Sequence, residues 1–63
     1  MKRYYLETEV GGMALHDTKG HGESVDEITA NSYYDAIQLV LQKYPNFIQV
    51  GYTGWFVLKT EGR

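Results

Sequence analysis

The chain contains no cysteine, a single proline and no long apolar run. Without cysteine there is neither a disulfide framework nor a thiolate metal site, so 63 residues must be held by packing and hydrogen bonds, and an intracellular setting is expected. The opening stretch MKRYYLETEV has two basic residues but no apolar signal core, and no segment approaches the length that spans a bilayer. The expectation is a cytoplasmic protein with no membrane contact. Cations are also scarce, with six Lys and Arg against eight Asp and Glu. That scarcity weighs against nucleic-acid binding, whose affinity is dominated by phosphate contacts. A chain this short forms one domain, residues 1–63, whose core is a thin layer because small domains bury only about 60% of their unfolded surface.

The stretch NSYYDAIQLVLQKYP, Asn31 to Pro45, is the one continuous helix the chain can make, the remaining residues reading as strands and loops. Tyr33, Ala36, Ile37, Val40, Leu41 and Tyr44 recur at the i, i+3, i+4, i+7 spacing of one helical stripe, which requires a sheet to pack on. Ser32 with Asp35 three residues later forms a capping signature and places negative charge in the first turn. Lys43 suits the C-terminal dipole, and Pro45 forces the preceding residue out of the α region, so the helix is expected to stop near Lys43. Tyr34 and Leu39 fall on the solvent side.

Before the helix, KRYYLETEV alternates with period two, with Tyr4, Leu6, Thr8 and Val10 on one face and Arg3, Tyr5, Glu7 and Glu9 on the other. This is a half-buried strand. Residues 11–22, GGMALHDTKGHG, hold four of the seven glycines and read as a long hairpin loop, with some strand character around Met13 to Leu15. Glu23 to Ala30 reads as a second strand pairing antiparallel with the first. After the helix, Phe47 to Tyr52 and Trp55 to Thr60 form a hairpin through Tyr52-Thr53-Gly54, with Gly51 opposite Trp55 in a three-residue turn, or with the facing sets re-paired in a two-residue turn. The expected fold is α+β, an antiparallel sheet of three to four strands with one helix on one face, in the order β-β-α-β-β. A single helix leaves the other face open, so an aromatic patch beside Tyr5 is expected there, suited to dimerisation or partner binding.

The charges are not evenly mixed. Between residues 7 and 27 lie Glu7, Glu9, Asp17, Glu23, Asp26 and Glu27 with only Lys19 in between, whereas Lys2, Arg3, Lys43, Lys59 and Arg63 lie elsewhere. An acidic lobe would steer a basic partner, although an ordinary solvated hairpin has the same composition. His16, His21, Asp17 and Glu23 include metal-ligand types, but they sit on a glycine-rich loop that does not preorganise them, and no metal or other cofactor is expected. Catalysis needs a nucleophile, a base and an orienting group in a water-excluding pocket, for which a chain of this size has little room. Neither Gly11-Gly12 nor Gly20-His21-Gly22 matches a phosphate-binding or dinucleotide loop. No enzyme is expected.

The junction Glu27-Ile28-Thr29-Ala30, Ser32, Asp35-Ala36-Ile37, with Trp55, Lys59 and Gly62 in the last strand and a Met1-Lys2 start before a tyrosine-bearing strand, resembles the small type I-F anti-CRISPR proteins of phages and mobile elements. The resemblance implies a non-enzymatic inhibitor that binds a host nucleic-acid-handling protein, a basic complex, and blocks its nucleic-acid path. Members of that family rely on basic and polar contacts from the sheet, whereas this chain is acidic. The contact face is expected to comprise Tyr5, Glu7, Glu9, Phe47, Trp55 and Lys59, the acids steering and the aromatics supplying most of the affinity. Two alternatives stand beside it: a small nucleic-acid-binding module that stacks bases on the sheet aromatics, and a homodimeric structural protein.

Overall fold

The computed structural model describes residues 1–45, the backbone of 47–52 and 56–60, and in the last strand the side chain of Lys59. The elements are β1 (Lys2–Glu9), β2 (Gly12–His16), β3 (Ser24–Ala30), α1 (Tyr33–Lys43), β4 (Phe47–Tyr52) and β5 (Phe56–Thr60). They form an α+β fold with one helix on an antiparallel sheet of spatial order β3-β1-β2-β5-β4. The sequence-based order β-β-α-β-β and its three to four strands are therefore corrected to β-β-β-α-β-β with five strands.

The added element is β2, within the stretch expected to be a loop. Glu9 pairs with Gly12, so β1 turns into β2 through Val10 and Gly11 alone, and Gly11 has φ 77, where only glycine avoids a steric cost. Val10 thereby leaves the buried face expected for it and stands 88% exposed at the tip of the turn. Met13, Ala14, Leu15 and His16 are all buried. A strand buried on both faces shows no alternation, which is why the period-two signal is missing there.

The expected pairing of the first strand with the one preceding the helix is present, with Tyr4 opposite Ile28 and Lys2 opposite Ala30. Helix α1 begins and ends as its sequence dictates. The Ser32 hydroxyl accepts from the Asp35 amide at 3.1 Å, and the Tyr44 backbone, at φ −128, leaves the helix after donating its N–H to the Val40 carbonyl. Ala36, Ile37 and Val40 face Tyr4, Leu6, Met13, Leu15, Ile28 and Ala30, and Tyr33, Leu41 and Tyr44 close the rim. Burying each large aliphatic side chain of this layer contributes about 1.5–3 kcal/mol. At one edge Asp26 accepts from the Lys43 ammonium and the Tyr44 hydroxyl, and the Lys43 hydrogen bond holds its carboxyl below the usual range.

In the last hairpin Tyr52 pairs with Phe56 and Gly51 with Val57, not with Trp55, and the register slips between Gln49 and Gly51 so that Gln49 pairs with Leu58 and Ile48 with Lys59. A bulge of this kind inserts a residue, so Ile48 is paired with Lys59 and not with Leu58, as the regular three-residue hairpin would have it. The expected turn at Thr53 and Gly54 lies outside the described residues. Among the described residues no helix is long and apolar enough to cross a membrane.

Candidate functional site

The strands place Tyr5, Glu7 and Glu9 of β1 and Ala14 and His16 of β2 on the sheet face away from the helix, with Glu7 opposite Ala14 and Tyr5 opposite His16. A face without a helix would normally be solvated. Here Glu7 is 3% exposed, Ala14 2% and His16 6%.

The cover is the connection 17–23. Because β2 and β3 are both antiparallel to β1, they run parallel to each other on its two sides, and the chain must cross β1 to join them. It does so as a strap on the outer face. The Glu7 carboxylate accepts from the His21 amide at 2.9 Å and from the Gly20 amide at 3.3 Å. The His21 ring stacks on the His16 ring, centroids 3.9 Å apart and planes 15° from parallel. The Thr18 hydroxyl lies 2.9 Å from His21 Nε2. Beyond the histidine, Thr8 anchors the strap twice, its N–H donating to the Glu23 carbonyl and its Oγ1 accepting from the Glu23 amide, both at 2.9 Å.

Two glycines make this path possible. Gly20 turns at φ 98, in the left-handed region. Gly22 lies so close to β1 that a Cβ there would be 2.3 Å from the Thr8 carbonyl oxygen. Lys19 projects over the Tyr5 ring, Nζ 5.6 Å from its centroid, and lies 3.8 Å from Glu27, which Arg3 also approaches at 3.8 Å.

Burial and hydrogen bonding set the charges of this cluster. The strap amides, His21 first, hold the Glu7 carboxyl below its usual range because they favour the anion. Burial pushes the His16 imidazole below its usual value and the neighbouring His21 adds to this, against the opposing pull of Glu7, Glu9 and Asp17. A carboxylate and two imidazoles are ingredients of acid–base chemistry. In this arrangement the carboxylate is buried and engaged by backbone donors, so it fastens a loop and presents no open base to a substrate. No group of three or more metal-ligating side chains exists among the described residues.

The residues expected to form a contact face are distributed differently. Tyr5 is half-buried beside Lys19, and Glu7 is buried beneath the strap instead of facing a partner. Glu9 is exposed next to the Val10 turn, and Lys59, opposite Gly12, donates its ammonium to the Val10 carbonyl. The structure therefore brings Glu9 and Lys59 to one end of the sheet. Phe47 opens β4, but its side chain lies outside the described residues, as does all of Trp55. The expected aromatic patch rests on those two side chains and on an open face beside Tyr5, and the strap covers that face over Glu7, Ala14 and His16.

Sequence reasoning missed the strap itself. The available signals were an acid at the centre of an otherwise regular strand and two glycines flanking His21, which together suit a loop that must approach a strand closely.

A further hollow of about 390 Å³ opens at the start of the helix, lined by Lys2, Arg3, Tyr4, Asp17, Ser32 and Tyr33. Tyr33 in this lining holds its ring edge-on to Tyr4, with centroids 5.6 Å apart, and its hydroxyl donates to the Leu15 carbonyl. No family model matches the chain, and no curated protein or solved structure does so either.

Proposed function

We propose that the protein is a non-enzymatic inhibitor, phage or mobile-element encoded, that acts by occupying a basic surface of a host nucleic-acid-handling protein. The observation that supports this is the end of the sheet where the strap rejoins β1. Glu9 and Glu23 are exposed there, brought together by the Thr8 anchor, and Val10 stands between strands as an exposed apolar knob. The ammonium of Lys59 is turned onto the Val10 carbonyl. Such an end repels phosphate and complements a cationic groove with an apolar floor, the acids raising the encounter rate and Val10 providing desolvated contact. Glu7 leaves the contact set, because its carboxylate is held by the strap, while Tyr5, Glu9 and Lys59 stay on it. The host and inhibitor character comes from the family resemblance and the charge pattern together.

The test is capture from a bacterial host lysate by the tagged protein, with and without nuclease, beside a Glu9→Lys/Glu23→Lys variant. A partner retained after nuclease by the parent chain and lost at least tenfold by the variant is the expected result. Retention that disappears with nuclease would make the sheet a base-binding surface instead. A melting temperature that rises with protein concentration, with nothing captured, would point to the structural homodimer.

A further inference from the structure

We infer that the strap 17–23 is an acid-released latch, closed while the buried His16, stacked under the His21 ring, is neutral and opened when His16 takes up a proton. The inference rests on the geometry of the strap and not on the inhibitor reading.

Among the described residues the strap is held by the two amides on Glu7, the ring stack, the Thr8 anchor and Lys19 beside Tyr5 and Glu27. Of these contacts the one that changes charge near neutral pH is the stack, at His16, since Glu7 titrates below its usual range and Thr8 does not titrate. Two rings with centroids 3.9 Å apart cannot both become imidazolium without direct repulsion, and His16 is buried, where a charge is poorly solvated. Tyr5 stands opposite His16 on β1 with Lys19 of the strap over its ring; Glu7 and Glu9 farther along β1 and Asp17 of the strap favour protonation of His16, and β5 contributes Lys59, farther along β2 opposite Gly12. Burial and the second imidazole outweigh the acids, and His16 stays below its ordinary value.

Opening returns His16 to water, where its affinity for protons is ordinary. The closed strap thus binds fewer protons than the open one, so closure is complete above about pH 6.5 and weakens as pH falls below it, by up to about tenfold per pH unit for one histidine. Release would uncover Glu7, Ala14 and His16 and free the Thr8 and Glu23 backbones at the acidic end of the sheet.

Hydrogen exchange of the intact chain by NMR tests this, with protection factors for the Gly20, His21 and Thr8 amides compared with Leu6 and Leu15 in the strand ladder. Between pH 7.5 and 5.5 the strap amides are expected to lose at least fivefold more protection than the ladder. His21→Phe keeps a ring on the stack and removes one charge, so the excess loss is expected to shrink at least twofold, and His16→Phe/His21→Phe is expected to abolish it. An equal loss in strap and ladder, or an undiminished excess in the soluble His21→Phe variant, would overturn the inference.

Discussion

The two faces of the sheet are covered by opposite means. On one, a helix lays Ala36, Ile37 and Val40 on six buried sheet side chains, and the contact is apolar throughout its centre. On the other, a strap of seven residues is fastened by a carboxylate, a threonine and a pair of histidines. The helix face depends chiefly on area removed from water, with charge confined to its edge, where Asp26 holds Lys43 and Tyr44. The strap face depends on a few directional bonds, of which those to Glu7 and the stack at His16 change with the charge of one group, so small changes in conditions act on it first. A small domain with room for only one helix has obtained a second layer at little cost in chain length.

The comparison breaks most completely from the helix side. Leu15 is fully buried where the strands meet the helix, and Leu15→Ala is expected to cost about 2–5 kcal/mol, a large part of the stability of so small a domain. Urea unfolding followed by circular dichroism checks it; a cost below about 1 kcal/mol would contradict the assigned core.

Gly22→Ala separates the faces. The new methyl would meet the Thr8 carbonyl oxygen at 2.3 Å, a backbone atom that cannot swing aside, so the strap must lift. The expected cost is about 1–3 kcal/mol. Chemical shifts are expected to change from Glu7 to Thr8 and from Asp17 to Glu23 while the helix-facing core keeps its shifts. Equal disturbance of both faces would show that the strap is not a separate layer.

Ser32→Ala removes one hydrogen bond at the helix start and is expected to cost about 1 kcal/mol, visible as fraying of Tyr33 to Ala36 in hydrogen exchange. Its effect is confined to the helix side, and the strap amides are expected to be unchanged.

The difference between the faces also explains what could be read from the sequence. The helix was legible to within a residue or so at each end, because Ser32, Asp35, Lys43 and Pro45 act locally and nothing in the tertiary structure overrides them. β1 and β3 were legible because β1 alternates and β3 leads directly into the helix cap. β2 was not, since the strap buries its outer residues and erases the alternation, and the glycines around it serve a tight turn and a close approach that composition alone reads as a loop. The register of the last hairpin depends on a bulge between Gln49 and Gly51 that no residue type there announces. Of the candidate contact residues, Glu9 lies where an exposed acid was expected, whereas Glu7 reads identically in sequence. Its burial results from a crossover that only the strand order reveals.

The most direct test of the two-face account is the pH dependence of stability in Glu7→Gln against the parent chain, by urea denaturation from pH 7 to pH 3. Glu7 has a folded-state pKa below its unfolded value, so its contribution is fully present above about pH 4.5 and is lost as pH falls through the lower folded value. The account predicts that the parent is clearly the more stable at pH 7 and that the gap closes toward pH 3, with helix-side core shifts the same in both proteins. A gap that is absent at pH 7, or that persists unchanged at pH 3, would mean that the carboxylate does not hold the strap.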